Sequence, residues 1–281
     1  MNARNSILEV QAKVLKLTIH AANQVSMRIS CPKIADKARP GSFVHVKCSD
    51  SLGMRRPMSI MRASKTEGWI EILFKIIGQG TKALAENKIG SSLSVLGPIG
   101  NPFRLDNFKK QTILIGGGVG IPPLLFLAEY LSKSKEDVKT MVLMGSEIPF
   151  PFPLSPSLIY VDGIPGEAIA AIPLLEGLKI PSRLASNQDY PGCYAGFVTD
   201  LATDYLENIH LTKEDLEIFA CGPTPMLIAI QNLAKKYDVR CQLSVEEYMA
   251  CAVGGCAGCT ILVKTSAGLQ MKKVCVDGPV F

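Results

Sequence analysis

Four cysteines near the C-terminus constrain this chain more than any other feature of its sequence. Their spacing is C-x4-C-x2-C-x15-C, formed by Cys251, Cys256, Cys259 and Cys275. Gly254, Gly255 and Gly258 lie between the first three thiols. Because glycine reaches positive φ and has no Cβ, this composition predicts a tight loop whose backbone passes close to the sulfur atoms.

The spacing is typical of plant-type ferredoxins, in which four thiolates ligate a [2Fe–2S] cluster. A structural zinc site also uses four cysteines, but it favours two short paired knuckles. Disulfides require an oxidising compartment, which nothing in the sequence indicates. We therefore predict an iron–sulfur cluster, with zinc as the alternative. Four other cysteines are interpreted as isolated, small apolar residues: Cys31, Cys48, Cys193 and Cys241.

Composition limits the classes of protein to which the chain can belong. A length of 281 residues predicts two or three domains. The net charge of +5 comes from basic residues spread along the chain, so no nucleic-acid-binding arm is expected. No segment has the roughly 18 consecutive apolar residues of a membrane span. Nine cysteines without a secretory signal predict a reducing, cytoplasmic environment.

Residues 1–105 predict an antiparallel β-barrel, because short apolar runs alternate with glycine and proline. The predicted strands are 7–19, 43–47, 58–62, 69–75 and 93–96. Residues 106–239 predict a parallel α/β sheet, because apolar runs alternate with helical patterns. Its predicted strands are 112–115, 140–144, 158–161 and 217–220, and its predicted helices are 122–132, 199–208 and 225–237. Residues 147–191 contain eight prolines and predict long loops, and residues 240–281 form the cysteine module.

Two short motifs in the barrel segment predict a binding site for a phosphate-bearing cofactor. Arg56 offers a bidentate fork to a phosphate, Pro57 stiffens the approach, and Ser59 adds a hydroxyl. A glycine turn containing Gly80 and Thr81 begins a short helix, where free N–H groups favour an anion. Together the two motifs predict a clamp for the pyrophosphate of a flavin dinucleotide.

Two further motifs follow strands of the α/β segment and predict a dinucleotide site at the carboxyl edge of its sheet. The first is the run Gly116, Gly117, Gly118, Val119 and Gly120, and the second is Cys221, Gly222 and Pro223. Pro122 and Pro123 make the first motif depart from the usual G-x-G-x-x-G pattern. Since no Arg/Lys pair follows the second strand, at residues 144–147, NAD is favoured over NADP.

The order of these motifs resembles the ferredoxin–NADP reductase superfamily and, more narrowly, the electron-transfer subunits of two-subunit, NAD-dependent dihydroorotate dehydrogenases. The resemblance implies an FAD-binding barrel, an NAD-binding α/β domain and a small C-terminal [2Fe–2S] module. It places FAD against Arg56, Pro57, Met58, Ser59, Leu73, Phe74, Lys75, Gly80 and Thr81. It also implies a partner subunit that carries FMN, in a heterodimer or a dimer of heterodimers serving pyrimidine biosynthesis.

These features predict an electron relay in which cofactors perform the chemistry. FAD converts two-electron exchange with NAD(H) into the one-electron steps of the cluster. No catalytic acid or nucleophile is needed, so His20, His45 and His210 are interpreted as ordinary surface or core residues. Two alternatives stay open: an NAD(P)H oxidoreductase serving another acceptor, such as ferredoxin, a sulfhydrogenase or a hydroxylase, and a non-catalytic zinc-binding module.

Overall fold

In a computed structural model the chain divides into two compact units. The first contains residues up to 103 together with 244–281, and the second contains residues 104–243. The structure describes residues 7–106, 109–134, 138–209 and 213–281, so that His210 lies outside the described residues. Among the described residues, no helix combines the length and apolar character that crossing a bilayer requires.

Six antiparallel strands form a closed barrel in the first unit, which confirms the predicted architecture. They are β1 (Leu8–His20), β2 (Gln24–Ser30), β3 (Phe43–Val46), β4 (Arg56–Ser64), β5 (Trp69–Lys75) and β6 (Ser92–Ile99). Around the barrel they follow the order β1-β2-β5-β4-β3-β6. Helix α1 (Pro32–Lys37) follows β2, and helix α2 (Gln79–Ala85) follows β5.

Strand β2 is the barrel strand that the sequence analysis did not predict. Its apolar side chains Val25, Met27 and Ile29 are fully buried, and polar residues occupy the alternate positions. On the other face, Arg28 pairs with Glu71 at 2.8 Å and covers the Trp69 ring at 3.8 Å. This alternation is the pattern of a half-buried strand, and it differs from the short apolar runs that predict the other barrel strands.

The second unit is built around a six-stranded sheet. The strands of the whole unit, six in this sheet and two in a separate pair, are β7 (Gln111–Gly117), β8 (Lys139–Gly145), β9 (Ser155–Pro156), β10 (Ala170–Ala171), β11 (Ser182–Ser186), β12 (Tyr194–Ala195), β13 (Leu216–Cys221) and β14 (Arg240–Ser244). Its helices are α3 (Ile121–Ser132), α4 (Pro173–Gly177), α5 (Val198–Asn208) and α6 (Thr224–Tyr237). The sheet order is β12-β11-β8-β7-β13-β14, and β9 pairs with β10 separately. The pairs from β12 to β13 are parallel, as predicted.

The predicted strand at 158–161 is wrong. Leu158 and Tyr160 are 95% and 88% exposed, and the strand beside β8 is β11 instead. Every residue of β11 is buried although its sequence contains Ser182 and Arg183. Arg183 donates hydrogen bonds to the carbonyl oxygens of Ser182 at 2.7 Å and Ile159 at 2.8 Å. These bonds satisfy both terminal nitrogens of the buried guanidinium and leave Nε without a partner among the described residues, so a strand with a buried arginine can lie here without an apolar run.

The fifteen residues between Cys259 and Cys275 form an antiparallel hairpin of β15 (Thr260–Thr265) and β16 (Gly268–Lys273). This hairpin and the cysteine loop group with the barrel in the first unit. The sheet of the second unit continues through β14, beyond the boundary at residue 239 that the sequence suggested.

Candidate functional site

The four cysteines come together in two pairs. Within the loop, the Cys256 N–H donates to Cys251 Sγ at 3.4 Å, and the two thiols interact. Cys259 and Cys275 form the second pair, since their thiols lie within hydrogen-bonding reach and the Val274 N–H donates to the Cys259 carbonyl oxygen at 3.0 Å. Cys259 and Cys275 are buried, Cys251 is half-buried and Cys256 is exposed. The site therefore runs from the interior to the surface.

The electrostatics differ between the two pairs. Burial opposes ionisation of Cys251, but the backbone N–H groups of Val253, Cys256 and Gly255 outweigh it and lower the pKa of this thiol to about 6. Burial, together with the neighbouring Cys259 thiol, raises the pKa of Cys275 to about 12. The backbone around Cys251 thus favours its thiolate, whereas burial and the neighbouring Cys259 favour the protonated thiol of Cys275.

This donor set fits a two-iron cluster better than a single metal ion. Four-coordinate zinc requires all four ligands to converge on one centre. Two thiol pairs instead match a [2Fe–2S] cluster, in which four cysteines serve two irons.

Glycine acts in the cysteine loop mainly through close approach. Only Gly254 of the three has positive φ, at 85°, while Ala252 and Ala257 each adopt φ of 56°. A Cβ on Gly254 would lie only 2.6 Å from Val276 Cγ2, whereas one on Gly258 would lie at an ordinary contact distance of 3.6 Å from Cys256 Sγ. Of the freedom that the three glycines allow, positive φ is therefore used at Gly254 and not at Gly255 or Gly258.

An apolar cluster anchors the cysteine loop to the barrel. Phe43 and Ile99 of the barrel pack with Met249, Ala252 and the buried thiols. Asn101, which follows β6, holds the segment after Cys275 by donating its Nδ2–H groups to the carbonyl oxygens of Val276 at 3.1 Å and Asp277 at 2.9 Å. The loop is therefore held by the barrel as well as by its own turns.

The structure brings together the two barrel motifs. Arg56 begins β4, and its guanidinium lies against the first turn of α2, where a Cβ on Gly80 would be 2.9 Å from Arg56 Nε. Thr81 Oγ1 accepts the N–H groups of Ile77 at 3.0 Å and Gly78 at 3.3 Å, which closes the turn. Arg56 Nη1 donates to the Met54 carbonyl oxygen at 3.0 Å, which orients the fork.

The other predicted flavin-binding residues lie at the same end of the barrel. Pro57 and Ser59 are half-buried and Met58 is buried in β4. Ile60 pairs with Ile72, so the residues preceding Ile60 in β4 lie beside those following Ile72 in β5. Those β5 residues are Leu73, Phe74 and Lys75. A single surface of the first unit thus carries both strands and the α2 turn.

Replacing Gly80 with alanine tests this arrangement. The added Cβ would lie 2.9–3.1 Å from three guanidinium atoms of Arg56, which must move away. Because a bidentate charge-assisted contact is worth about 1.5–3 kcal/mol, we expect FAD affinity to fall about tenfold or more, measured by fluorescence titration of the apoprotein. Gly78→Ala is the control, since its Cβ would meet nothing within 4 Å. Equal FAD affinity in the two variants would contradict the proposed clamp.

The two motifs of the second unit meet at one edge of its sheet. Gly116 pairs with Cys221 between β7 and β13, and the following loops run side by side. A Cβ on Gly120 would overlap the backbone of Cys221 and Gly222. Gly118 is exposed at φ 54°. The chain leaves β7 towards β8 on one side and returns to β13 on the other, so this is a topological switch point, where α/β sheets bind dinucleotides.

One buried polar side chain of the barrel is a histidine without a hydrogen-bond partner among the described residues. His45 in β3 is 1% exposed, and neither ring nitrogen makes a hydrogen bond with any described residue. A histidine between valines in a strand gives no signal of function in the sequence, so only the structure reveals its surroundings. The interpretation of His45 as a core residue is correct for its burial.

Comparisons with known proteins agree with this organisation. Residues 11–103 match the family model of the oxidoreductase FAD-binding domain, and residues 246–281 match that of the iron–sulfur cluster binding domain of dihydroorotate dehydrogenase B. The electron transfer subunit of dihydroorotate dehydrogenase B (NAD(+)) from Caldanaerobacter subterraneus is 31% identical, covering 87% of this chain and 85% of that protein. The corresponding subunit of Bacillus caldolyticus is 34% identical, covering 93% and 91%.

Solved structures show the same architecture. A chain of the NADH-dependent reduced ferredoxin-NADP oxidoreductase is 25% identical with a TM-score of 0.77, covering 97% of this chain and 88% of that one. A ferredoxin reductase of carbazole 1,9a-dioxygenase has a TM-score of 0.64 at 21% identity, covering 83% and 67%, which supports the fold alone.

Proposed function

The chain belongs to the family of electron-transfer subunits of dihydroorotate dehydrogenase B, and we propose that it relays electrons between NAD(H) and a catalytic partner subunit through the residues described above. The observation that carries the proposal is the pairing of Cys251 with Cys256 and of Cys259 with Cys275. When bound, FAD exchanges two electrons with NAD(H) and the [2Fe–2S] cluster exchanges them singly.

The chain's own residues bind and orient these groups. Arg56 and the α2 turn at Gly80 and Thr81 hold the flavin pyrophosphate, and the end of β5 supports the rest of the cofactor. The loops after β7 and β13 bind the dinucleotide at the switch point, where the lack of side chains on the glycines allows close approach. Cys251, Cys256, Cys259 and Cys275 would ligate the cluster, and Phe43 and Met249 surround the buried thiols of Cys259 and Cys275 with apolar side chains that exclude water.

The partner carries FMN and binds beside the cysteine loop. Leu262, Leu269 and Met271 of the β15–β16 hairpin are 60%, 68% and 66% exposed, and Leu262 pairs directly with Met271. The hairpin begins at Thr260, directly after Cys259, and this face also carries the exposed Lys264, which pairs with Leu269. An exposed apolar face beside an electron-carrying site fits a protein interface. We assign the arrangement to a heterodimer or a dimer of heterodimers.

The visible spectrum of anaerobically purified protein, before and after addition of NADH, tests the relay. Flavin bands and a broad iron–sulfur absorbance that both bleach support it. A colourless protein that contains zinc and no acid-labile sulfide, even after reconstitution, would exclude it. Co-purification with an FMN-containing subunit would indicate a dihydroorotate dehydrogenase partner, whereas its absence would favour a protein that passes electrons to another acceptor.

A further inference from the structure

Lys273, the last residue of β16, connects the parts of the chain that carry the four thiols. In the hairpin it pairs with Thr260, the residue directly after Cys259. Its carbonyl oxygen accepts the Asp277 N–H at 2.7 Å, and its own N–H donates to Asp277 Oδ2 at 2.7 Å, which closes a turn around Cys275. The backbone of Lys273 is therefore fixed close to both residues of the buried thiol pair.

The side chain of Lys273 extends to the loop that carries the other pair, Cys251 and Cys256. Its Nζ donates to the carbonyl oxygen of Gly254 at 2.7 Å, and this contact is partly buried. Gly254 lies between those two cysteines and turns the loop with a φ of 85°. A Cβ on Gly254 would lie 2.6 Å from Val276 Cγ2, so the same turn packs against the segment that follows the buried pair. One side chain thus links the two thiol pairs.

This contact places a positive charge against the loop that would ligate the cluster. The ammonium of a lysine is a compact point charge, and one-electron reduction makes an iron–sulfur cluster more negative by one charge. Net charge and hydrogen bonding around a cluster set its reduction potential. We propose that the Lys273 ammonium, held in place by the Gly254 carbonyl oxygen, stabilises the reduced state of the cluster and so raises its reduction potential. This inference rests on the proposed function.

Two other charged residues provide the comparison. The Asp277 carboxylate would act in the opposite direction, but Asp277 is exposed, so water screens its charge more than that of an ammonium in a partly buried contact. Lys264 is exposed on the same face of the hairpin, four residues beyond Thr260 in β15. That separation is about 13 Å along the strand, which exceeds the Debye length of about 8 Å at physiological ionic strength. Lys264 therefore carries the same charge as Lys273 at a screened distance.

The midpoint potential of the cluster in the whole chain tests the proposal, followed through the electron paramagnetic resonance signal of the reduced cluster. Lys273→Met keeps a long, unbranched side chain but removes the charge and the donor. We expect the equilibrium constant for cluster reduction to fall about tenfold, a shift of about 59 mV to lower potential for a one-electron couple. Lys273→Arg, which keeps the charge and a donor, should restore most of the potential, and Lys264→Met, the matched control, should leave it unchanged.

An unchanged potential in Lys273→Met would overturn the inference. If that variant also lost part of its cluster content while the remaining clusters kept their potential, Lys273 would only support the loop, which contradicts the proposed effect of its charge. Absence of any cluster signal in the unmodified protein after reconstitution would overturn the proposed function as well.

A second measurement uses the unmodified protein and does not require Lys273→Met to fold. In protein labelled with 13C at the lysine Cε, the nuclear magnetic resonance signal that Lys273→Arg removes belongs to Lys273. This signal should shift or broaden when the paramagnetic reduced cluster forms, whereas the Lys264 signal should not. A Lys273 signal that reduction leaves unchanged would overturn the inference and leave the relay intact.

Discussion

Replacing Cys256 with serine should remove the cluster and leave the flavin in place. Cys256 is the exposed member of its pair, and its Sγ accepts the Gly258 N–H at 3.5 Å. Serine offers a harder and less acidic ligand than a thiolate. Changes in groups that merely support ligands cost about 10- to 100-fold in metal affinity, so loss of a ligand should reduce iron and acid-labile sulfide at least about tenfold. FAD content should not change, because the residues proposed to bind FAD, Arg56 and the α2 turn, belong to the barrel segment and not to the cysteine loop.

The control for this experiment is Cys193→Ser, a half-buried thiol of the second unit. It should keep full cluster content, which separates loss of a ligand from general damage by thiol replacement. NADH-dependent reduction of an artificial dye should survive in Cys256→Ser, because electrons reach the flavin before the cluster. If the variant loses FAD together with iron, the two cofactor sites are not independent, and the proposal that separate residues bind FAD and the cluster is wrong.

The sequence predicted those parts of the site in which the spacing of residues along the chain determines how close their side chains lie. Cys251, Cys256 and Cys259 share one short loop, so their convergence follows from chain length. The meeting of Gly116–Gly120 with Cys221 follows from the rule that parallel strands end at one sheet edge. In both cases a local pattern and a simple topological rule were sufficient.

The failures have a common physical cause, which is burial of polar groups by partners distant in sequence. β11 can bury Arg183 because the guanidinium donates to the carbonyl oxygen of Ile159, 24 residues earlier, as well as to that of its neighbour Ser182. The run at 158–161 is apolar yet exposed, so it was mistaken for that strand.

Replacing Gly120 with alanine should abolish reduction by NADH. The added Cβ would overlap the carbonyl group of Cys221 and the nitrogen of Gly222, which are backbone atoms that no side-chain rotation can move. The loops after β7 and β13 must therefore separate. Since a misplacement of about 1 Å can cost about 100-fold in rate, we expect NADH-dependent flavin reduction to slow about 100-fold or more in stopped-flow measurements.

The same separation costs stability in the second unit, about 1–3 kcal/mol for overpacking a dense site. Gly166→Ala is the matched control, because a Cβ there meets nothing within 4 Å and its φ is not positive. Flavin reduction by dithionite should be unaffected in both variants, since a chemical reductant does not use the dinucleotide site. A Gly120→Ala variant with a normal melting temperature and normal reduction by NADH would show that the two loops are not held together in solution. It would also remove the basis for placing NAD(H) at this edge of the sheet.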